Sequence, residues 1–172
     1  MQPAEDDELV SLNEIAPQIW IGNYWAAYHQ DSIRTMGSIP NLMSLDDEQA
    51  IKPWLDEIHG EQLRTIEERR RELKIETVRL VDDHGNEFRR LRLAVDVIDE
   101  LVRSSPPVLI HCRAGRGRSA AVVAEYFIVH GGLTAKDALE KVGQRRDIYK
   151  REEGGKDWVI NFLERLEEEA RP

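Results

Sequence analysis

Cysteine is nearly absent from this sequence: among 172 residues there is one, Cys112. Without a second thiol the chain cannot form an intramolecular disulfide, and a zinc site built from several cysteines is excluded as well. A single thiol is then either a small buried apolar residue or a nucleophile. The residues around Cys112 decide between these two interpretations.

Basic residues are also fewer than acidic ones. The 24 lysine and arginine residues are outnumbered by 33 aspartate and glutamate residues, and the formal net charge is -9. Proteins that bind nucleic acid normally present a clustered basic surface to the phosphate backbone, so we expect no stable nucleic-acid binding. A small basic pocket within an acidic surface remains compatible with this net charge.

Long hydrophobic runs are missing too. No apolar segment approaches the length of a membrane-spanning helix, and the residues MQPAEDDELV are acidic where a secretory signal is basic and then apolar. These absences predict a cytoplasmic protein without a membrane span. The 41% of hydrophobic residues suffices for one domain with its own core, and we expect it to be a monomer. Residues 1–10 are expected to be a disordered tip, and residues 11–170 to form the domain.

Four short strands are predicted, with helical patterns between and after them. The strands cover residues 18–21, 39–45, 76–81 and 107–111, the last being continuously apolar. Over residues 87–102 the apolar positions recur every three or four residues, which indicates an amphipathic helix. A strand, a crossover helix and a second strand favour parallel pairing. We therefore predict an α/β fold, with a central, mostly parallel sheet flanked by helices.

Further helices are predicted from the spacing of apolar residues. Residues 120–129 are almost entirely apolar and are followed by Gly131 and Gly132, which indicates a buried helix and its end. Thr134 is positioned to cap the next helix. Residues 63–73 are highly charged and indicate a solvent-exposed helix, whereas residues 158–166 place their apolar side chains on one face.

The residues between the last predicted strand and the buried helix read HCRAGRGRS, positions 111–119. Backbone N–H groups at the start of a helix have no partner within the helix, and the helix dipole adds positive charge, so a phosphate group binds there. Two glycines let the chain curl until its N–H groups converge on one point. The predicted phosphate-binding residues are Arg113, Ala114, Gly115, Arg116, Gly117 and Arg118.

The same segment predicts chemistry at Cys112. Arg118 offers a planar guanidinium that can bind two phosphate oxygens, and the positive surroundings favour the thiolate, the form that attacks phosphorus. A lone cysteine after an apolar strand is more often a buried apolar residue than a catalyst. The spacing HCxxGxxRS is rare by chance, however, and it occurs here between a strand and a helix. We therefore favour the nucleophile.

HCRAGRGRS resembles the signature loop of the protein tyrosine phosphatase superfamily, and its surroundings resemble the dual-specificity protein phosphatase family. QIWIGN, a helix and SIPNLMSL resemble that family's first strand, helix and second strand, and TVRLVD, the amphipathic helix and VLIHC follow in the family's order. The resemblance covers most of the chain. It implies a phosphotyrosine protein phosphatase-like fold, in which residues 11–170 form a single dual-specificity-phosphatase-like catalytic domain.

The resemblance also implies a mechanism with a cysteinyl-phosphate intermediate and without a metal or cofactor. Cys112 would be the nucleophile, Arg118 would bind the phosphate, and the hydroxyl of Ser119 would help the thiolate leave. His111 would support the surroundings of the thiolate. The family uses an aspartate that follows the preceding strand as the acid. Asp82 is favoured by the alternation of the strand, and Asp83 stays open as the alternative.

Three functions remain open at this point. The main expectation is a phosphatase of tyrosine or dual specificity that acts on a phosphorylated protein. Arg113 and Arg116 resemble basic loop residues of phosphoinositide and phosphatidylglycerophosphate phosphatases, so a phospholipid headgroup or a polyphosphate is the alternative substrate. Arg146 resembles the position where family members hold a second phosphate, which makes it a candidate second anion site. The third alternative is a catalytically idle phosphate-binding module.

Overall fold

The protein is described by a computed structural model over residues 10–38, 41–45, 61–80, 88–104, 106–148 and 157–170. Strands and helices alternate along most of the chain. The strands are β1 (Leu12–Ala16), β2 (Ile19–Gly22), β3 (Asn41–Ser44), β4 (Ile75–Thr77) and β5 (Val108–His111). The helices are α1 (Tyr24–Tyr28), α2 (Gln30–Met36), α3 (Glu61–Glu72), α4 (Phe88–Ser104), α5 (Arg118–Gly131), α6 (Ala135–Gly143) and α7 (Asp157–Ala170).

The five strands form one sheet in the order β1-β2-β5-β3-β4. Strand β5 pairs in parallel with β2 and with β3, and β3 pairs in parallel with β4. Among the described strands only β1 is antiparallel to its neighbour. The predicted α/β fold with a central, mostly parallel sheet is therefore confirmed. All four residues of β5 are buried, because the strand lies in the middle of the sheet with helices on both faces.

The two faces of β5 pack against different helices. Ile110 belongs to the main core, where apolar side chains of α4 and α5 cover the sheet. Leu109 points the other way, into a smaller cluster with Tyr24, Tyr28 and Ile66 of α1 and α3. Successive residues of a strand point to opposite faces, so one short strand is held from both sides. Its carboxyl end is consequently a rigid support for the residues that follow.

No described strand has the predicted bounds; β5, for example, begins at Val108 instead of residue 107. Strand β1 was not predicted at all. Strand β2 begins at Ile19 instead of residue 18, because Gln18 has a left-handed backbone with φ 68° and so ends the extended run between β1 and β2. Strands β3 and β4 are shorter than predicted, at four and three residues, within the described part of the chain.

The predicted helices are all present, with shifted ends. Helix α5 begins at Arg118, two residues before the predicted start, and ends at Gly131. The φ of 65° at the following residue, Gly132, lets its N–H group donate to the carbonyl of Ile128. The side-chain oxygen of Thr134 accepts a hydrogen bond from the N–H group of Asp137 at 3.1 Å, which confirms the predicted cap of α6. Within the described ranges no helix combines the length and apolar character that crossing a bilayer requires.

Candidate active site

The candidate site lies where three parallel strands end. Gly22, Ser44 and His111 occupy matching positions at the carboxyl ends of β2, β3 and β5. The segment that joins β5 to α5, here called the anion loop (residues 112–117), starts at this edge. Its backbone is tied to both neighbours: the N–H group of Leu45 donates to the carbonyl of His111, and that of Tyr24 to the carbonyl of Arg113, each at 2.9 Å.

The thiol of Cys112 lies at the bottom of the anion loop. Cys112 is 2% exposed, and the N–H group of Gly115 donates to its Sγ, with 3.2 Å between nitrogen and sulfur. The loop therefore turns back over the sulfur, as the glycine pattern predicts. A backbone donor aimed at the sulfur stabilises negative charge there.

Gly115 makes this turn with φ 69°, a conformation that residues with a side chain rarely adopt. A Cβ atom at this position would lie 2.5 Å from the carbonyl oxygen of Gly22 and 2.5 Å from a guanidinium nitrogen of Arg146. Gly117 directly precedes α5 as its N-cap, and no side chain in the described part of the chain caps the helix start. The N-terminus of α5 is thus left open toward the loop.

Arg118, the first residue of α5, is buried beside the loop at 8% exposure. Its Nη1 donates to the carbonyl oxygens of Leu45 at 3.4 Å and Leu80 at 3.3 Å. These carbonyls belong to the segments that follow β3 and β4, so the guanidinium is anchored at the strand ends. Asp82 and Asp83, the two candidate acids, lie outside the described residues.

Ser119 lies in the first turn of α5 and is fully buried. Its hydroxyl has no hydrogen-bond partner among the residues that the structure describes. Buried hydroxyl groups normally have one, because desolvation without a hydrogen bond is costly. The placement leaves this hydroxyl available to a group bound at the loop.

The imidazole of His111 is completely buried, and the edges of two aromatic rings approach it, with ring centroids 5.8 Å away for Tyr24 and 5.9 Å for Tyr28. Burial lowers the pKa of His111 to about 3, although a hydrogen bond to the backbone of Cys112 opposes this; the positive charge of Arg118 lowers it further. The ring is therefore neutral near pH 7. It supports the backbone at Cys112 as an uncharged group.

The two additional arginines of the loop have different surroundings. Arg113 is exposed to solvent. Arg116 is partly buried, and its Nη2 lies 2.6 Å from the Oδ2 atom of Asp147, a carboxylate in the chain after α6. The charge of Arg116 is therefore paired within the protein. Asp147 was not predicted from the sequence, because nothing local links it to the loop.

Arg146 lies behind the anion loop and is only 5% exposed. It donates to the loop carbonyls of Gly115, from Nε at 2.5 Å, and Ala114, from Nη2 at 3.1 Å. Its Nη1 donates to Asn13 Oδ1 at 2.8 Å and to the carbonyl of Ile21 at 3.4 Å. This differs from the second anion site predicted for Arg146, since the guanidinium is buried and directed at protein oxygens. Asn13 was missed because β1 was not predicted.

Metal-binding side chains are not grouped in the described part of the chain. Among the described residues no three or more histidine, cysteine, aspartate or glutamate side chains lie close enough to hold a metal ion. The chemistry that the arrangement supports uses a buried sulfur, convergent backbone N–H groups and guanidinium groups. These are the components of an anion site with a nucleophile beneath it.

Comparison with known proteins identifies the family. Residues 41–165 match the family model "Dual specificity phosphatase, catalytic domain". The chain belongs to this family. The matched segment contains β3, the anion loop and α5, so the resemblance inferred from HCRAGRGRS is confirmed.

Similar proteins include both protein and lipid phosphatases. The chain is 39% identical over 53 residues to phosphatidylinositol 3,4,5-trisphosphate 3-phosphatase ptn1 of Schizosaccharomyces pombe, a match covering 30% of this chain and 15% of that protein. It is 39% identical over 54 residues to dual specificity protein phosphatase 1 of Arabidopsis thaliana, covering 31% and 27% of the two chains. The chain thus spans less than a third of the length of these curated relatives.

A solved structure covers almost the whole chain. The crystal structure of Tk-PTP in the active form superimposes with a TM-score of 0.68 and 22% identity, over 98% of this chain and 99% of that one. At this identity the likeness concerns the fold. It confirms the predicted phosphotyrosine protein phosphatase-like architecture.

Proposed function

We propose that this dual specificity phosphatase domain hydrolyses phosphate monoesters through a cysteinyl-phosphate intermediate, with phosphorylated proteins as its main substrates. One observation carries the proposal. The buried Cys112 sulfur accepts a hydrogen bond of 3.2 Å from the N–H group of Gly115, at the N-terminal end of α5. Membership of the family supports the same reaction. We further propose that residues 11–170 are the catalytic domain; its cytoplasmic location and monomeric state stay predictions.

In the first step the thiolate of Cys112 attacks phosphorus, and the bond from phosphorus to the leaving oxygen breaks. The phosphoryl oxygens are bound by the N–H groups of residues 113–118 and by Arg118, which stabilise the charge that develops in the transition state. The leaving oxygen takes its proton from the acid, Asp82. The product of this step is a phosphocysteine.

In the second step water attacks the phosphocysteine and gives its proton to the carboxylate of Asp82, which now acts as a base. The sulfur–phosphorus bond breaks, and inorganic phosphate leaves. The buried, unpartnered hydroxyl of Ser119 supports its proposed role, which is to donate a hydrogen bond to the departing sulfur. The neutral His111 stays outside the proton transfers, since burial lowers its pKa to about 3.

The central experiment compares wild-type protein with Cys112→Ser on 4-nitrophenyl phosphate, phosphotyrosine peptides and phosphoserine or phosphothreonine peptides. We expect wild-type hydrolysis that Cys112→Ser abolishes, with trapping of phosphate on the wild-type sulfur by rapid acid quench. A wild-type protein that binds phosphate but hydrolyses none of these substrates would instead be an idle phosphate-binding module.

The proposed acid has its own test. Asp82→Asn is expected to lower kcat by about 10²-fold while substrate affinity is retained, in line with the usual contribution of a general acid. The carbonyl of Leu80, two residues earlier, lies 3.3 Å from Arg118 Nη1, which supports an acid in this part of the chain. Asp83→Asn is the matched control. A loss in Asp83→Asn alone would assign the role to Asp83.

A phospholipid headgroup is the second candidate substrate. The exposed guanidinium of Arg113 and the similarity to ptn1 favour it. Phosphoinositides presented in vesicles, tested beside the phosphopeptides, separate the two substrates. A preference of at least about tenfold in kcat/KM for the lipid, which corresponds to about 1.4 kcal/mol, would replace the protein substrate by the lipid.

A further inference from the structure

We infer that Arg146, held in place by Asn13, is a positioning residue that keeps the anion loop curled from outside the pocket. The inference rests on the proposed function and adds to it a residue that touches the loop but no substrate. It differs from the second anion site that the sequence predicts for Arg146, because every hydrogen bond described for this guanidinium ends on an oxygen of the protein.

The geometry of the peptide group links the outer side of the anion loop to its inner side. A trans peptide is planar, and its C=O and N–H bonds point in opposite directions. The carbonyl of Ala114 and the N–H group of Gly115 belong to one such plane. Arg146 pulls this carbonyl outward through Nη2 at 3.1 Å. The same plane then directs the Gly115 N–H inward, where it lies 3.2 Å from Cys112 Sγ.

The next peptide group is fixed in the same way. Arg146 Nε donates to the carbonyl of Gly115 at 2.5 Å, so the N–H group of Arg116 in that plane points away from Arg146. Two consecutive peptide planes of the anion loop are therefore set by one side chain. These planes carry N–H groups proposed to bind the phosphate, so their orientation determines how well the loop binds an oxyanion.

The far side of the guanidinium is fixed to the sheet. Nη1 donates to Asn13 Oδ1 of β1 at 2.8 Å and to the carbonyl of Ile21 in β2 at 3.4 Å. A guanidinium is planar and rigid, so fixing Nη1 also fixes Nε and Nη2. The flexible ammonium of a lysine has a single nitrogen and cannot span these oxygens on two sides.

The surroundings also preserve the positive charge behind the loop. All four acceptors are uncharged, and the nearby carboxylate of Asp147 is 2.6 Å from Arg116. Burial lowers the pKa of Arg146, and the charge of Cys112 opposes that shift. A guanidinium remains protonated in proteins, so the charge favours an anion at the loop as well as shaping it.

The test uses Arg146→Ala and Arg146→Lys, with the exposed neighbour Arg145→Ala as a control of equal charge. The substrate is 4-nitrophenyl phosphate, which carries one phosphate and cannot use a second anion site. We expect kcat to fall about 100-fold in both Arg146 variants, because misoriented N–H groups of the anion loop stabilise the transition state less well. The kcat of Arg145→Ala should stay within about twofold of wild type. Binding of inorganic vanadate should weaken in parallel.

Rescue separates positioning from a general loss of stability. The assay is run well below the melting temperature of Arg146→Ala. Guanidinium chloride at a few millimolar should then restore part of the kcat of this variant and none of the kcat of Arg146→Lys. Asn13→Ala, which changes no charge, should lower kcat about fivefold and weaken vanadate binding, since it loosens the guanidinium without removing it. This variant keeps the test valid if Arg146→Ala fails to fold.

Two results would overturn the inference. One is unchanged hydrolysis of 4-nitrophenyl phosphate in both Arg146 variants together with a selective loss on doubly phosphorylated substrates, which would restore the second anion site. The other is unchanged vanadate affinity in both Arg146 variants and in Asn13→Ala. If the wild-type protein binds vanadate but hydrolyses nothing, and the variants bind it weakly, the positioning role stands and the proposed function fails.

Discussion

Arg146 and Glu125 are both ionisable residues within the interior, and they lie in regions of opposite character. Arg146, at the anion loop, donates hydrogen bonds to four oxygens. Glu125, in the middle of α5, is fully buried, and its carboxylate oxygens have no hydrogen-bond partner in the part of the chain that the structure describes. Arg92 Nε lies 4.0 Å from Oε1, the outer limit of an ion pair.

The difference shows how partners decide what burial does to a charge. Desolvation raises the pKa of Glu125 to about 8; Arg92 opposes the shift, and Asp96 adds to it. Glu125 is therefore mostly protonated near pH 7. The guanidinium of Arg146 keeps its charge because its partners replace the lost water. At the strand ends hydrogen bonds keep Arg146 charged. Between α4 and α5 Glu125 is instead protonated and therefore uncharged.

The largest effect is expected from Gly115→Ala, which disrupts the region of Arg146. The new Cβ would lie 2.5 Å from the carbonyl oxygen of Gly22, a backbone atom, and 2.5 Å from the guanidinium. We expect at least about 10³-fold loss of kcat/KM on 4-nitrophenyl phosphate, since the donors of the loop are displaced together. Steady-state kinetics measures the loss.

Gly132→Ala is the matched control for this substitution. Gly132 also has a left-handed backbone, with φ 65°, but no atom of the described residues lies within 4 Å of its added Cβ. It should cost about 1 kcal/mol of stability through backbone strain and leave kcat/KM unchanged. Equal kinetic losses in both variants would mean that strain alone, and not the contact at the loop, explains the effect.

The second prediction concerns the other region, through Glu125→Gln. In the unfolded chain a glutamate ionises near pH 4.5, whereas Glu125 in the folded protein has a pKa of about 8. Between these values the folded state binds the extra proton, so stability decreases as pH rises. Glutamine resembles the protonated form and does not titrate. From pH 5 to pH 8 we expect the free energy of unfolding of the variant to rise by about 3 kcal/mol relative to that of wild type.

Urea unfolding of both proteins across this range measures the gain. Well below pH 4.5, where the wild-type side chain is protonated in both states, the difference between the two proteins should stop changing. Parallel curves of unfolding free energy from pH 5 to pH 8 would show that Glu125 has partners sufficient to keep its charge.

The third prediction, His111→Asn, has the opposite sign. Unfolded histidine ionises near pH 6.5, whereas burial lowers the pKa of His111 to about 3. Below pH 6.5 the unfolded state binds the extra proton, so this group removes stability as pH falls. Asparagine does not titrate. From pH 6.5 to pH 5 the free energy of unfolding of wild type should therefore fall by about 2 kcal/mol more than that of the variant. The same unfolding series measures it, and an unchanged difference would contradict a neutral His111.

The smallest effect is expected from Thr134→Ala, in neither of the two regions. The Thr134 hydroxyl accepts a hydrogen bond of 3.1 Å from the N–H group of Asp137. Loss of such a cap typically lowers the free energy of unfolding by about 1 kcal/mol. Thermal unfolding measures this cost, and Thr134→Ser should recover most of it. The kcat on 4-nitrophenyl phosphate should not change. A kinetic loss would mean that α6 and the anion loop are coupled through Arg146.

Local patterns in the sequence were sufficient for much of the fold and for the center of the site. The apolar run of β5 and the amphipathic α4 are periodicities of neighbouring residues, and they predict a parallel sheet through the order in which they occur. Likewise, HCRAGRGRS places the nucleophile, the glycines and Arg118 within one short segment. Asp82 was proposed from the same kind of local order and stays a prediction.

The supporting residues could not be inferred in this way. Asn13 and Arg146 are 133 residues apart and meet only because β1 joins the edge of the sheet beside β2. Glu125 lies in a segment read as almost entirely apolar, and only the packing of α4 on α5 leaves its carboxylate without a hydrogen bond in the described structure.

The sequence by itself determined where the anion loop forms, because a strand, a glycine-rich turn and a helix start are specified by adjacent residues. The tertiary structure decided which side chains hold that loop and which buried carboxyl has no hydrogen bond among the described residues. The physical reason is that hydrogen bonds between distant segments depend on the pairing of the sheet, which a local pattern does not encode.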